Sequence, residues 1–143
     1  MTQVQRPRIE ATEYSQAFWD AAARGELVVQ RCSDCGSLRH YPQPLCPACT
    51  SAEYDWAPLS GRGVIYSYTV SHRAFHPAWK EHAPYVLATI ELQEGIRMIT
   101  DLLGVDPASV AIGQAVEVEF VDMPGQGVVP RFRRVEPDAA GGA

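Results

Sequence analysis

The chain has 143 residues, 46% of them hydrophobic and 20% charged, with 11 Gly and 11 Pro. This length holds one compact domain with at most a small appendage, which excludes a large multi-domain enzyme, and the composition excludes a disordered or fibrous chain. Twelve Lys and Arg against 17 Asp and Glu give a formal charge of −5, which argues against a protein that grips nucleic acid nonspecifically by neutralising many phosphates.

Residues 1–13 carry Pro7, scattered charge and no periodicity, the pattern of an extended arm. The opening MTQVQRPRIE lacks the apolar core of a signal peptide, and no run in the chain reaches the roughly 18 apolar residues of a membrane helix, so a cytoplasmic protein is expected. From Ser15 to Arg24, Ala17, Phe18, Ala21 and Ala22 recur at helical spacing, with Ser15 as N-cap and Gly25 as stop. Phe18 lies on the apolar stripe of this helix, and Trp19 beside it is left as a candidate interface residue. Leu27 to Arg31 reads as a strand.

All four cysteines follow within a short stretch, as Cys32-Ser-Asp-Cys35 and Cys46-Pro-Ala-Cys49 with ten residues between the pairs. Each CxxC folds into a knuckle that points two thiolates at one centre, and two knuckles complete a tetrahedral zinc site. Gly36 supplies a positive φ after the first knuckle and Pro47 stiffens the second. The alternatives are two disulfides or a redox CxxC, which a cytoplasmic setting and the lack of a strand-to-helix context disfavour. Four thiolates close the coordination sphere, so the expected single zinc is structural and no thiol remains as a nucleophile.

After Pro58 the pattern becomes alternation. Val64, Tyr66, Tyr68 and Val70 share one face of a half-buried strand over Gly63 to Ser71. Tyr85 to Leu92 turns Val86, Ala88, Ile90 and Leu92 inward, and Ile96 to Leu103 follows closely enough to form a hairpin with it. Ala115 to Asp122 and Val128 to Val135 complete five antiparallel strands, enough for a small OB-type barrel but not for a sandwich. Arg131 and Arg133 fall opposite Phe132 and read as a solvated face, while Gly61 and Gly63 serve turns or bulges. The expected fold is mainly β, with an arm at 1–13, a helix and zinc ribbon at 14–57, a five-stranded OB barrel at 58–136 and a disordered tail at 137–143.

Several segments together carry a resemblance: Phe18-Trp19, Gln30-Arg31-Cys32, Cys35-Gly36, Pro44-Leu45-Cys46, Ser60-Gly61-Arg62-Gly63, Ser67-Tyr68-Thr69-Val70, His72-Arg73-Ala74-Phe75-His76-Pro77, Pro84-Tyr85-Val86 and Gly104-Val105-Asp106-Pro107. Over about residues 14–133 the chain resembles the zinc-ribbon/OB-fold proteins found beside thiolases, formerly a domain of unknown function. The resemblance implies a rubredoxin-like ribbon and a noncatalytic subunit. Its expected partner is a thiolase-fold protein, namely a thiolase, an acyl-CoA condensing enzyme or a thiolase-like aldolase acting on sterol side chains. An acyl-CoA ligand and a hetero-oligomer are also implied, while the charge balance and the lack of a long apolar run lead to no nucleic-acid or membrane partner being expected.

Against that background the segment His72 to Pro84 is the main functional candidate. It holds three of the four histidines (His72, His76 and His82), the single lysine Lys80, and Arg73, Phe75 and Trp79. These side chains suit contact with a CoA phosphate, with adenine or with a protein surface, and Arg62 could join their cations; the competing reading is a loop whose Phe75 and Trp79 merely cap the barrel. The candidate substrate-binding residues are therefore Arg62, His72, Arg73, Phe75, His76, Trp79 and Lys80, and the candidate partner-interface residues Trp19, Phe75 and Trp79. A His72/His76 acid–base pair lacks any accompanying nucleophile or oxyanion signature. The rival class is a single-strand nucleic-acid module, disfavoured because Glu91, Glu117 and Glu119 fall on solvent-facing positions.

Overall fold

A computed structural model describes residues 7–74 and 76–135, so Phe75 and the expected tail at 137–143 lie outside the described residues. Helix α1 (Gln16–Ala23) buries Phe18, Ala21 and Ala22. Its end is a Schellman motif: Glu26 N–H bonds Ala21 O at 2.9 Å and Gly25 N–H bonds Ala22 O at 3.0 Å, with Gly25 at φ 78°. Ser15 occupies the N-cap position but does not cap through its side chain. Its hydroxyl turns back to accept the Thr12 N–H at 2.8 Å, because the arm supplies that donor first.

Three strands, β1 (Val28–Cys32), β2 (Leu38–Arg39) and β3 (Tyr54–Pro58), form an antiparallel sheet in the order β2-β1-β3. Five more close into a barrel: β4 (Arg62–Ser71), β5 (Tyr85–Leu92), β6 (Arg97–Leu103), β7 (Ala115–Met123) and β8 (Gly127–Arg134), in the order β4-β5-β6-β8-β7. The barrel is not antiparallel throughout. β6 runs parallel to β8, pairing Leu102 with Phe132, because the chain crosses the barrel end through Gly104 to Gln114 before β7. A short 3-10 helix (Pro77–His82) lies in the β4–β5 connection.

β5 alternates without a break, with Val86, Ala88, Ile90 and Leu92 all buried. They meet Ile65, Met98, Leu102, Val116 and Phe132 in a core that continues through Phe18, Leu27 and Val29, so the helix and ribbon are packed onto the barrel. β4 departs from its expected single face. A bulge between Ile65 and Ser67 inserts Tyr66, so Val64 pairs with outward Glu91, whereas Tyr68 and Val70 pair with inward Ala88 and Val86. The buried residue is Ile65, and Val64, Tyr66 and Tyr68 are exposed. Gly63 lies where β4 and β5 approach so closely that a Cβ would run into the Glu91 carbonyl.

Candidate functional site

The two cysteine knuckles repeat one backbone motif. In the first, Cys32 N–H bonds Ser37 O and Gly36 N–H bonds Cys32 O, both at 2.9 Å; in the second, Cys46 N–H bonds Ser51 O at 2.9 Å and Thr50 N–H bonds Cys46 O at 2.8 Å. Gly36 and Thr50 therefore hold equivalent positions, with φ 77° and 64°. A hydrogen bond from the Ser51 hydroxyl to Asp34 ties the knuckles together.

The four sulfur atoms lie within 4.8 Å of one another, with Cys32 Sγ 3.5 Å from Cys49 Sγ and Cys35 Sγ 3.6 Å from Cys46 Sγ. Tetrahedral thiolates around a metal at about 2.3 Å stand about 3.8 Å apart, so the donor set fits such an ion. All four thiols are free of disulfides. The Cys35 N–H lowers the Cys32 pKa, the nearby Ser37 hydroxyl lowers that of Cys35, and the Cys49 N–H lowers that of Cys46. Cys49 receives a favourable bond from Ser51 N–H, but its contacts with the Cys32 and Cys35 sulfurs push it up to about 12. Four clustered thiols cannot all ionise without a cation, so the knuckles make a metal-binding centre.

Beside this centre is a polar cluster that sequence reading missed. Gln30 and Arg39 are fully buried, and Gln30 Oε1 accepts from Arg39 Nε at 2.9 Å and from Gln43 N–H at 2.8 Å. The Arg39 guanidinium lies 5.0 Å from the Tyr54 ring centre. The two residues sit opposite each other across β1 and β2, a pairing legible only once the short β2 is known.

The candidate loop residues divide. His76 caps the 3-10 helix by accepting the Ala78 N–H on Nδ1 at 3.1 Å, and its ring packs edge-on against Trp79 at 5.3 Å. His72, Arg73 and Lys80 are exposed. Arg62 does not join them. It begins the ten-residue strand whose far end leads into the loop, a separation of about 30 Å along β4, and it lines a different cleft with Val64, Ala115 and Val135. A cleft of 310 Å³ opens beneath the loop between Trp79, His82, Leu103, Gly104, Asp101 and Arg131. Trp19 and Trp79, unrelated in sequence, line one groove of 420 Å³ over the outer face of the barrel.

Two arginines of the last strand are paired with carboxylates, Arg131 with Asp101 and Arg133 with Glu117 and with Glu119 at 3.7 Å, while Arg134 donates to Ser109 O at 3.0 Å. Arg97 lies over the exposed Tyr66 ring at 3.7 Å but is also paired with Glu91 at 3.2 Å. Among the described residues no helix is long and apolar enough to cross a membrane.

Two family models match the chain: the ChsH2 rubredoxin-like zinc ribbon domain over residues 19–55 and the ChsH2 C-terminal OB-fold domain over 56–121. A probable enoyl-CoA hydratase alpha subunit of Thermomonospora curvata is 41% identical over 92% of this chain, which spans only 41% of that protein's length. The benzoylsuccinyl-CoA thiolase subunit BbsA of Thauera aromatica is 33% identical over 62% of this chain and 58% of its own. A solved chain of an Ltp2-ChsH2(DUF35) aldolase superposes with a TM-score of 0.79 at 39% identity, covering 90% of this chain and 98% of that one. With its knuckle-bound cysteine tetrad and closed barrel, the chain belongs to the ChsH2 (DUF35) family of zinc-ribbon and OB-fold proteins.

Proposed function

We propose that this chain is a noncatalytic accessory subunit of a cytoplasmic, hetero-oligomeric complex with a thiolase-fold enzyme. One structural zinc is held by Cys32, Cys35, Cys46 and Cys49, and the subunit helps to hold or channel an acyl-CoA. The observation that carries the reading is the near-complete superposition on a solved chain of an Ltp2-ChsH2(DUF35) aldolase. The relative described as a thiolase subunit supports the same partner class. The cysteines support the noncatalytic part: all four thiols gather at one closed tetrahedral centre, which leaves none as a nucleophile. Cations already paired with Glu91, Glu117 and Glu119 on the outer strands weigh against nucleic acid, which needs unneutralised charge beside its aromatics.

CoA is polyanionic and this chain is acidic, so its share of CoA binding must come from a local cluster. On this reading Arg73 and Lys80, both exposed on the 72–84 loop, supply that cluster, and Arg62, at the far end of β4, takes no part in it. A charge-assisted phosphate contact contributes about 1.5–3 kcal/mol, so Arg73→Ala or Lys80→Ala should weaken acyl-CoA binding by the assembled complex roughly ten- to a hundredfold. Titration of the complex with an acyl-CoA checks this, with Arg62→Ala as the unaffected control. If both loop variants bind as tightly as the wild type, the loop takes no part in CoA binding; if either abolishes assembly with metal content intact, it docks protein instead.

A further inference from the structure

We propose that the outer face of β5, β6 and β8 is the docking surface for the enzyme partner and receives an uncharged, apolar patch of that protein. The inference rests on the reading that a thiolase-fold subunit is the partner, and it goes further by assigning where that subunit sits and with what chemistry.

Three segments far apart in sequence converge over this face. Ile9 of the arm, Trp19 of α1 and Trp79 of the β4–β5 connection surround Leu87, Ile99 and Val129 of the strands. Trp19, Ile99 and Val129 also line a second groove, of 400 Å³, that continues past Met98 and Pro130 to Tyr41 in the ribbon. The result is one apolar trough from ribbon to loop. Ile99 is 62% exposed and Tyr41 54%, so the floor and one end face water. The Gln126 side chain holds the arm against the barrel by donating to Pro7 O at 2.6 Å.

Charge decides the occupant. Asp101 and Arg131 are the charged residues lining the outer-face groove, and both guanidinium donors that face Asp101 are spent on its two carboxylate oxygens. A polyanion such as CoA or a nucleic-acid strand would have to pull Arg131 away from Asp101 at its own electrostatic cost. An uncharged apolar surface buries the pair intact and gains the two tryptophans and Ile99, an aromatic and aliphatic centre of the kind that dominates protein interfaces.

The test titrates the purified thiolase-fold subunit with wild-type, Ile99→Asp, Ile112→Asp and Asp101→Asn chains, each checked for metal content and circular dichroism. Ile112 is 68% exposed and lies outside the trough, so it receives the same substitution as a control. Ile99→Asp should weaken the complex on the order of a hundredfold and Ile112→Asp should leave it unchanged. Asp101→Asn strands Arg131 under the partner and should weaken it about tenfold. Unchanged affinity for Ile99→Asp, or equal loss for Ile112→Asp, overturns the surface while leaving the partner reading intact. So does tighter acyl-CoA binding by Asp101→Asn without loss of the complex, which marks an anion site. A wild-type homodimer dispersed by Ile99→Asp would instead make this the contact between two copies. A wild-type chain that does not bind the subunit overturns the partner reading itself.

Discussion

His40 sits between α1 and the barrel, its ring 5.4 Å from Phe18 and 4.2 Å from Tyr41, and its Nδ1 is buried without a partner. Burial alone pushes its pKa down from 6.5 to about 4. The folded protein therefore holds this imidazole neutral while the unfolded chain protonates it below pH 6.5, so the associated stability is intact above pH 6.5 and lost as pH falls toward 4. The loss amounts to about 2 kcal/mol by pH 5 and about 3 kcal/mol by pH 4. Denaturant melts of wild type and His40→Phe across this range should show wild type losing that much relative to the variant, since acid release of metal affects both alike. A pH-independent difference would refute the burial account. Thr50 makes a second residue-level case, because a β-branched side chain at φ 64° is strained where the matching knuckle has Gly36. Thr50→Gly should raise stability by about 1 kcal/mol despite its added chain entropy, measured as a shift in unfolding midpoint.

At the scale of elements, β4 carries the most information per residue. Gly61 and Gly63 bring it against β7 and β5, Tyr66 bulges out, and only Ile65 is sealed in the core. Gly63→Ala forces β4 away from the Glu91 carbonyl and should cost about 2 kcal/mol or more, read from the same kind of melt. The helix, the knuckles and β5 were legible in the sequence because each declares itself within a few residues: a 3.6-residue period ended by Gly25, a repeated CxxC, and an unbroken alternation. β4 was misread because one inserted residue reverses the face of everything after it, and alternation alone cannot reveal an insertion. Two-residue β2 and the strand β3 exist through their pairing with β1, an interaction that no local pattern announces. Arg62 failed for the same reason in reverse. It is near the loop in sequence, but an extended strand carries it to the opposite end of the barrel.

For the whole molecule, packing distributes the tasks. The metal centre fixes the ribbon, and the shared core of Phe18, Leu27 and Val29 with the barrel strands holds ribbon and barrel together. Removing the metal with a chelator removes on the order of 10 kcal/mol of binding energy that folds the knuckles. The ribbon should lose structure as a result, and protection from hydrogen exchange should fall at Cys32 to Ser51 before it falls in β5; equal loss everywhere would mean that the metal supports the barrel directly. On the proposed reading catalysis belongs to the partner, because the four cysteine thiols gather at the metal centre. The most direct test assays acyl-CoA thiolysis, condensation and aldol cleavage with this chain alone, with the thiolase-fold subunit alone and with both together. No turnover by this chain alone and the highest turnover by the pair are expected. Turnover by the isolated, zinc-loaded chain that disappears in His72→Ala or His76→Ala would contradict the proposed reading.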